Sequence, residues 1–187
     1  MARAPRASAF TGYYHVVNRS VRKATLFETH RDYIAFLAVL REGLEKHEAP
    51  LLSYCVLSNH WHLLIGPIEK SDLTRVIKWV TATHAIRWHR FRGTIGTGPV
   101  YQGRFRSTPI HTLDALMPLT RYVERNARSA GLVARAEDWR WGSLSQRRRG
   151  SRLVPLSNVK LLVTDFWADY VNAVITTREQ IRERAKA

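Results

Sequence analysis

The chain has 187 residues, 45% of them hydrophobic, which suits one domain with an appended tail and excludes wholesale disorder. It carries 30 Lys and Arg against 15 Asp and Glu, a formal net charge of +15 with histidine neutral. Such an excess points first to nucleic acid, because each neutralised phosphate releases condensed counterions; arginine-favouring genome composition or an anionic membrane surface would also produce it. Cys55 is the only cysteine, so an intrachain disulfide and a thiolate metal cluster are both excluded. There is no uninterrupted apolar run of about 18 residues to span a membrane, and the basic start, Met1 to Arg6, is not followed by a secretory apolar stretch. The expected location is a reducing cytoplasm, with the protein associated with the nucleoid and no membrane partner.

In chain order, Gly12 to Asn18 is rich in residues that suit a pleated surface and predicts a first strand. Thr29 is a plausible N-cap with Asp32 at N3, and Tyr33, Phe36, Leu37, Leu40 and Leu44 follow at helical spacing, predicting a helix to about His47. Leu51 to Leu57 and His60 to Pro67 are apolar runs separated by Ser58-Asn59, the pattern of a tight antiparallel hairpin. Ser71-Asp72 is the expected cap of a second helix carrying Leu73, Val76, Ile77, Val80 and Trp88, which Gly93 ends. Gly93 to Gly98 reads as a loop, and Val100 to Ile110 as another strand.

A third helix is expected from Thr112 to about Asn126, kinked at Pro118 or regular only from there. The chain then turns irregular through Trp139 and Trp141. Gln146 to Gly150 reads as a basic linker, and Phe166, Trp167, Tyr170, Val171, Val174 and Ile175 as a last helix with an apolar face to bury. The order β-α-β-β-α-β-α predicts an α+β fold, a ferredoxin-like split βαβ with an antiparallel sheet and helices packed on one face, plus a C-terminal helical tail. The expected division is one folded domain over 1–145 and a basic linker with helical tail over 146–187.

Three sets of residues could carry chemistry. His60 and His62 are i and i+2 on a strand, so their imidazoles project from the same face while Trp61 points into packing. That separation suits a shared metal; a hydrogen-bonded histidine pair fits HxH equally. A zinc deaminase would carry Glu at the second position and a later CxxC, and a barrel metallohydrolase would need about 250 residues. Tyr122 and Asn126 lie one turn apart on the third helix, where a nucleophile and an amide-oxygen ligand, or a core-edge tyrosine and a helix-ending asparagine, fit the spacing alike. Arg104, Arg106, Arg121 and Arg125 are candidates for phosphate contacts, as are Arg147, Arg148 and Arg149 in the basic run.

Tyr54-Cys55-Val56-Leu57-Ser58-Asn59-His60-Trp61-His62-Leu63-Leu64 resembles the HUH motif of single-tyrosine insertion-sequence transposases, and most of all the REP-associated tyrosine transposases (REP, repetitive extragenic palindrome). Tyr14 to Arg19 resembles their first strand. Gln102 to Ser107 is similar to their QxRFxS-like segment, and Arg121 to Asn126 with Ala130-Gly131-Leu132-Val133 to the YIxxNPVxAGLV helix that carries the nucleophile. Asp138 to Ser143 matches their DWxWSS-like segment. Asn126-Ala127-Arg128 stands where the family has Asn-Pro-Val, which lets the helix continue past Asn126, and Gly142 stands where serine is usual.

The resemblance implies that Tyr122 is the nucleophile, that His60, His62 and Asn126 hold Mg²⁺ or Mn²⁺, and that the substrate is single-stranded DNA, including palindromic hairpins. Attack by tyrosine would give a 5′-phosphotyrosine and a free 3′-hydroxyl; the stored bond energy makes a nucleotide cofactor unnecessary. Monomer and homodimer are both compatible with the family. The alternatives are a DNA-binding regulator that keeps the fold without cutting, and an RNA-processing or replication-initiating nuclease.

Overall fold

A computed structural model describes residues 11–174. Four strands, β1 (Thr11–Arg19), β2 (Leu51–Val56), β3 (His60–Glu69) and β4 (Arg106–Ile110), form one antiparallel sheet in the order β2-β3-β1-β4. β3 is therefore inserted between β1 and β2, which is the split βαβ arrangement expected from the element order. β2 and β3 make a hairpin through Ser58 and Asn59, closed by the Leu57 N–H on the His60 carbonyl at 2.8 Å.

The two-residue period of the strands separates two cores. Tyr14, Val16, Tyr54, Val56, Trp61, Leu63 and Ile65 face α1 (His30–Lys46) and α2 (Lys70–Arg92). The apolar spacing that predicts α1 is buried as expected: Tyr33, Phe36, Leu37, Leu40 and Leu44 all lie in this core. Each such side chain contributes about 1.5–3 kcal/mol by leaving water. At the N-terminus of α1 the Asp32 carboxylate accepts the Thr29 backbone N–H at 2.8 Å, and Arg92 at the end of α2 at 3.0 Å. That ties the start of one helix to the end of the other. Gly43 permits their close approach, since a Cβ there would lie 2.5 Å from the Val80 side chain.

The opposite face is also covered, so the single helical layer expected from the sequence is in fact two. Leu52, Cys55, Leu64 and Ile110 pack against α3 (Leu113–Ser129), α4 (Ser143–Arg148) and α5 (Asp165–Asn172). Cys55 is fully buried there, and burial pushes its thiol up to about 12, so it is an unreactive core residue.

Other boundaries differ from the sequence reading for local reasons. Helix α2 starts at Lys70 with Glu69 as N-cap, rather than at Ser71-Asp72, because β3 runs directly into it. Only Arg106–Ile110 of the expected strand pairs continuously. Tyr101 makes one isolated bridge to Ser20, and the chain then bends at Gly103, whose φ of 71° is left-handed. Helix α3 is regular from Leu113 and continues past Asn126 to Ser129 with Pro118 inside it. The expected basic linker is α4, and Ser143, Leu144, Ser145 and Gln146 are buried. In α5 the buried side chains are Trp167, Ala168 and Val171, whereas Phe166 is exposed; the expected helix ends at Asn172, so Val174 lies beyond it, exposed, and Ile175 lies outside the described residues. Among the described residues no helix is long and apolar enough to cross a membrane.

Candidate active site

The site lies on the second face of the sheet, beneath α3. Alternation along β3 sends Trp61 into the α1/α2 core, fully buried, and places His60 and His62 on the other side with ring centroids 5.1 Å apart. α3 crosses above them. Its Tyr122 ring stands edge-on to His62 at 5.7 Å, and Asn126 follows one turn later. Asn126 donates Nδ2 to the Tyr122 carbonyl at 3.0 Å, which turns the amide and leaves Oδ1 as its accepting atom.

A third histidine joins them. His15 on β1 stacks on His62 at 5.2 Å with an interplanar angle of 6°, its Nε2 3.0 Å from His62 Nδ1, and it is also edge-on to Tyr122 at 5.7 Å. His15 was present in the first-strand motif but carried no spacing signal, because its partner comes from a strand 47 residues away. Asn18, Arg19 and Gln102 line the same cleft, of about 240 Å³, with Arg104 and Arg106. Arg19 faces His60 across the β1–β3 ladder.

Burial and the Arg19 charge lower the His60 pKa to about 4; burial first, then His15, His60 and Arg19, hold His62 well below its ordinary value. Both imidazoles are therefore neutral at neutral pH, the form that binds metal. Among the described residues no group of three or more His, Cys, Asp or Glu is placed to hold a metal. A cation here would take two neutral imidazoles and an amide oxygen; the oxygen suits Mn²⁺ and Mg²⁺ alike, and the two imidazoles favour Mn²⁺ over the harder Mg²⁺.

The arginines expected at phosphates divide into two groups. Arg104 and Arg106 are exposed at the cleft. Arg121 and Arg125 turn away from it and are buried. Arg121 donates to the Ala173 carbonyl at 3.1 Å and lies over the Tyr170 ring, and Arg125 donates to the Val171 and Ala173 carbonyls at 2.6 and 2.8 Å. They fasten the C-terminal end of α5 to α3. Arg147 is also internal, paired with Glu124 at 2.5 Å; Arg148 pairs at the surface with Asp165, and Arg149 donates to Ser145 at 3.0 Å.

Glu124, two residues beyond Tyr122, anchors the far side of α3. Its carboxylate accepts from Ser143 and Trp167 at 2.7 Å each, besides Arg147. Ser143 in turn accepts the Tyr54 backbone N–H at 3.0 Å, so the Trp139 to Ser143 segment binds α3 to the edge strand β2.

The family described as transposase, IS200-like, matches residues 8–126, a segment that holds the histidine pair, Tyr122 and Asn126. The chain belongs to the IS200-like transposase family. As a transposase of this family it is a DNA-processing protein. A solved structure of a REP-associated tyrosine transposase bound to a REP hairpin aligns with this IS200-like transposase over 90% of this chain and 96% of that one, at 18% identity and a TM-score of 0.63. At that identity the likeness establishes the shared fold. A crystal structure assigned to a transposase of Deinococcus radiodurans R1 covers 66% of this chain and 96% of its own, at 13% identity and a TM-score of 0.47. No curated protein matches the chain.

Proposed function

We propose that this IS200-like transposase is a metal-dependent nuclease and strand transferase that cuts single-stranded DNA, including hairpin substrates, through a 5′-phosphotyrosine on Tyr122. The observation that carries this reading is the convergence of Tyr122, His62 and His60 in one cleft rimmed by Arg104 and Arg106. The Tyr122 hydroxyl attacks the scissile phosphorus in line, forming the Tyr–O–P bond as the bond to the 3′-oxygen breaks. Attack by another 3′-hydroxyl reverses the step and joins strands, so the exchange conserves one phosphodiester and needs no nucleotide cofactor. Tyr122 is held for this by its edge contacts with His15 and His62 and by the Glu124 anchor behind it. Arg104 and Arg106 hold phosphates on either side of the reacting one. A divalent cation held by His60, His62 and Asn126 would supply charge neutralisation at the scissile phosphate. Hairpin DNA is the substrate to try first, since the structural relative was captured on one.

The test is incubation with Mn²⁺ and labelled single-stranded hairpin DNA, followed by denaturing electrophoresis. A denaturation-resistant protein–DNA adduct is expected from the wild type and none from Tyr122→Phe. His60→Ala should lose cleavage while keeping most of its binding. An adduct that survives in Tyr122→Phe removes the assignment of the nucleophile. Hairpin binding by the wild type with no adduct would favour the regulator that binds without cutting.

A further inference from the structure

A second, larger depression adjoins the cleft and is not used by the chemistry above. It is a groove of about 1030 Å³ between α2 and the 95–107 segment, and Asn18 and Arg104 line both it and the catalytic cleft. One wall is a stripe of α2 in which Lys70, Thr74, Lys78, Ala82, Ile86 and Arg90 recur every four residues. That row runs about 30 Å along the helix. The other wall is the glycine-rich loop, fixed to α2 by His89, whose ring nitrogens lie 2.9 Å from the Thr94 hydroxyl and 3.0 Å from the Gly98 carbonyl.

The lining combines two features. Lys70, Lys78, Arg90 and Arg104 supply positive charge, and no acidic residue is among the described residues that line the groove. Between the cations, Ile86 and Ile95 face it from the two walls at 59% and 74% exposure, with Phe105 half-buried on the floor. Cations spaced along a strip with apolar side chains between them suit a chain whose phosphates and flat apolar faces alternate. Double-stranded DNA would present only its backbone to such a groove and leave the apolar lining without a role.

Resting on the reading of Tyr122 as the nucleophile, we propose that this groove is the track for the single-stranded segment that continues from the scissile phosphate. Arg104 is the junction: it lies at the cleft mouth and at the groove's near end. Lys78 and Arg90 hold phosphates farther along, while bases lie against Ile86, Ile95 and Phe105. Lys70 closes the near end, donating to the Ser107 hydroxyl and lying over the Tyr14 ring at 5.0 Å.

The experiment uses the full chain and a series of labelled oligonucleotides extended one nucleotide at a time, on each side separately, from a core that just spans the scissile step. In the wild type, affinity should rise with added single-stranded nucleotides on one side. In the Lys78→Ala/Arg90→Ala variant that rise should flatten, with the longest oligonucleotide bound about tenfold more weakly. The slope of log affinity against log salt should fall by about 1.4, for two lost single-strand contacts. Adduct formation on the core oligonucleotide should be unchanged, since both side chains are exposed and outside the cleft. An unchanged length dependence in the variant overturns the groove assignment. So does a rise produced only by double-stranded extension, which would make the groove a stem site. Absence of any adduct with the wild type would instead count against the nuclease reading, and the length series would still report on the groove.

Discussion

His15 Nε2 lies 3.0 Å from His62 Nδ1, with the two rings almost parallel. The contact uses Nδ1 of His62, so Nε2 is the nitrogen left to face a ligand; it is free to ligate in the tautomer in which His62 Nδ1–H donates to His15 Nε2, and the contact holds the ring plane. His15→Ala should weaken Mn²⁺ binding by about 10–100-fold, read by electron paramagnetic resonance or calorimetry without DNA. His15→Asn, which keeps a polar partner on β1, should recover part of the loss. Equal Mn²⁺ affinity in His15→Ala and wild type would reduce His15 to a packing residue.

Arg104 and Arg106 differ in placement from Arg121, Arg125 and Arg147: the first two are exposed at the cleft and the others are bonded internally. The Arg104→Ala/Arg106→Ala variant should lower the salt slope of single-stranded DNA binding by about 1.4, with little change in melting temperature. Arg125→Met should show the reverse, a lower melting temperature and an unchanged slope. Equal salt slopes in wild type and the Arg104/Arg106 variant would place the phosphate contacts elsewhere.

Removing Arg147 leaves the Glu124 carboxylate buried without its counter-charge. Arg147→Met should cost about 3–5 kcal/mol, a drop of roughly 6–20 °C in melting temperature for a chain of this size. Replacing both partners, as Glu124→Gln/Arg147→Met, should cost less than the single change, because no isolated charge remains. A cost near zero for Arg147→Met, measured by urea denaturation, would show that Ser143 and Trp167 suffice.

His84 is buried in the α1/α2 core with Nδ1 2.7 Å from the Tyr101 hydroxyl, and burial, with Arg92 second, lowers its pKa from 6.5 to about 4. The unfolded chain therefore binds more protons than the folded one between those two values, so stability rises with pH across that window and is lost as pH falls through it. The His84 contribution is about 3 kcal/mol in total. Urea denaturation at pH 7 and pH 4.5 should show a larger loss on acidification in wild type than in His84→Asn. Parallel losses in the two proteins would mean that His84 protonates equally in both states.

Much of the architecture was legible because it follows from short-range periodicity. The two-residue period of a strand put His60 and His62 on one face and Trp61 on the other, and the helical period put Tyr122 and Asn126 together on α3. The element order was enough for the split βαβ sheet. Local spacing also carried the capping of α1 and its termination of apolar contacts at Leu44.

What pattern could not reach was decided by contacts between segments far apart in the chain. His15 meets His62 only because β1 pairs with β3 in one register, with Val17 opposite His62. Arg121 and Arg125 share a helix with Tyr122, yet they point to α5, because the chain after residue 150 returns across α3 and its carbonyls need donors. Arg147 looked like an exposed basic run, since the carboxylate it neutralises is 23 residues away on a different helix. Charge and periodicity are properties of the chain alone; which cations meet phosphate and which hold the fold together depends on where the second helical layer comes to rest.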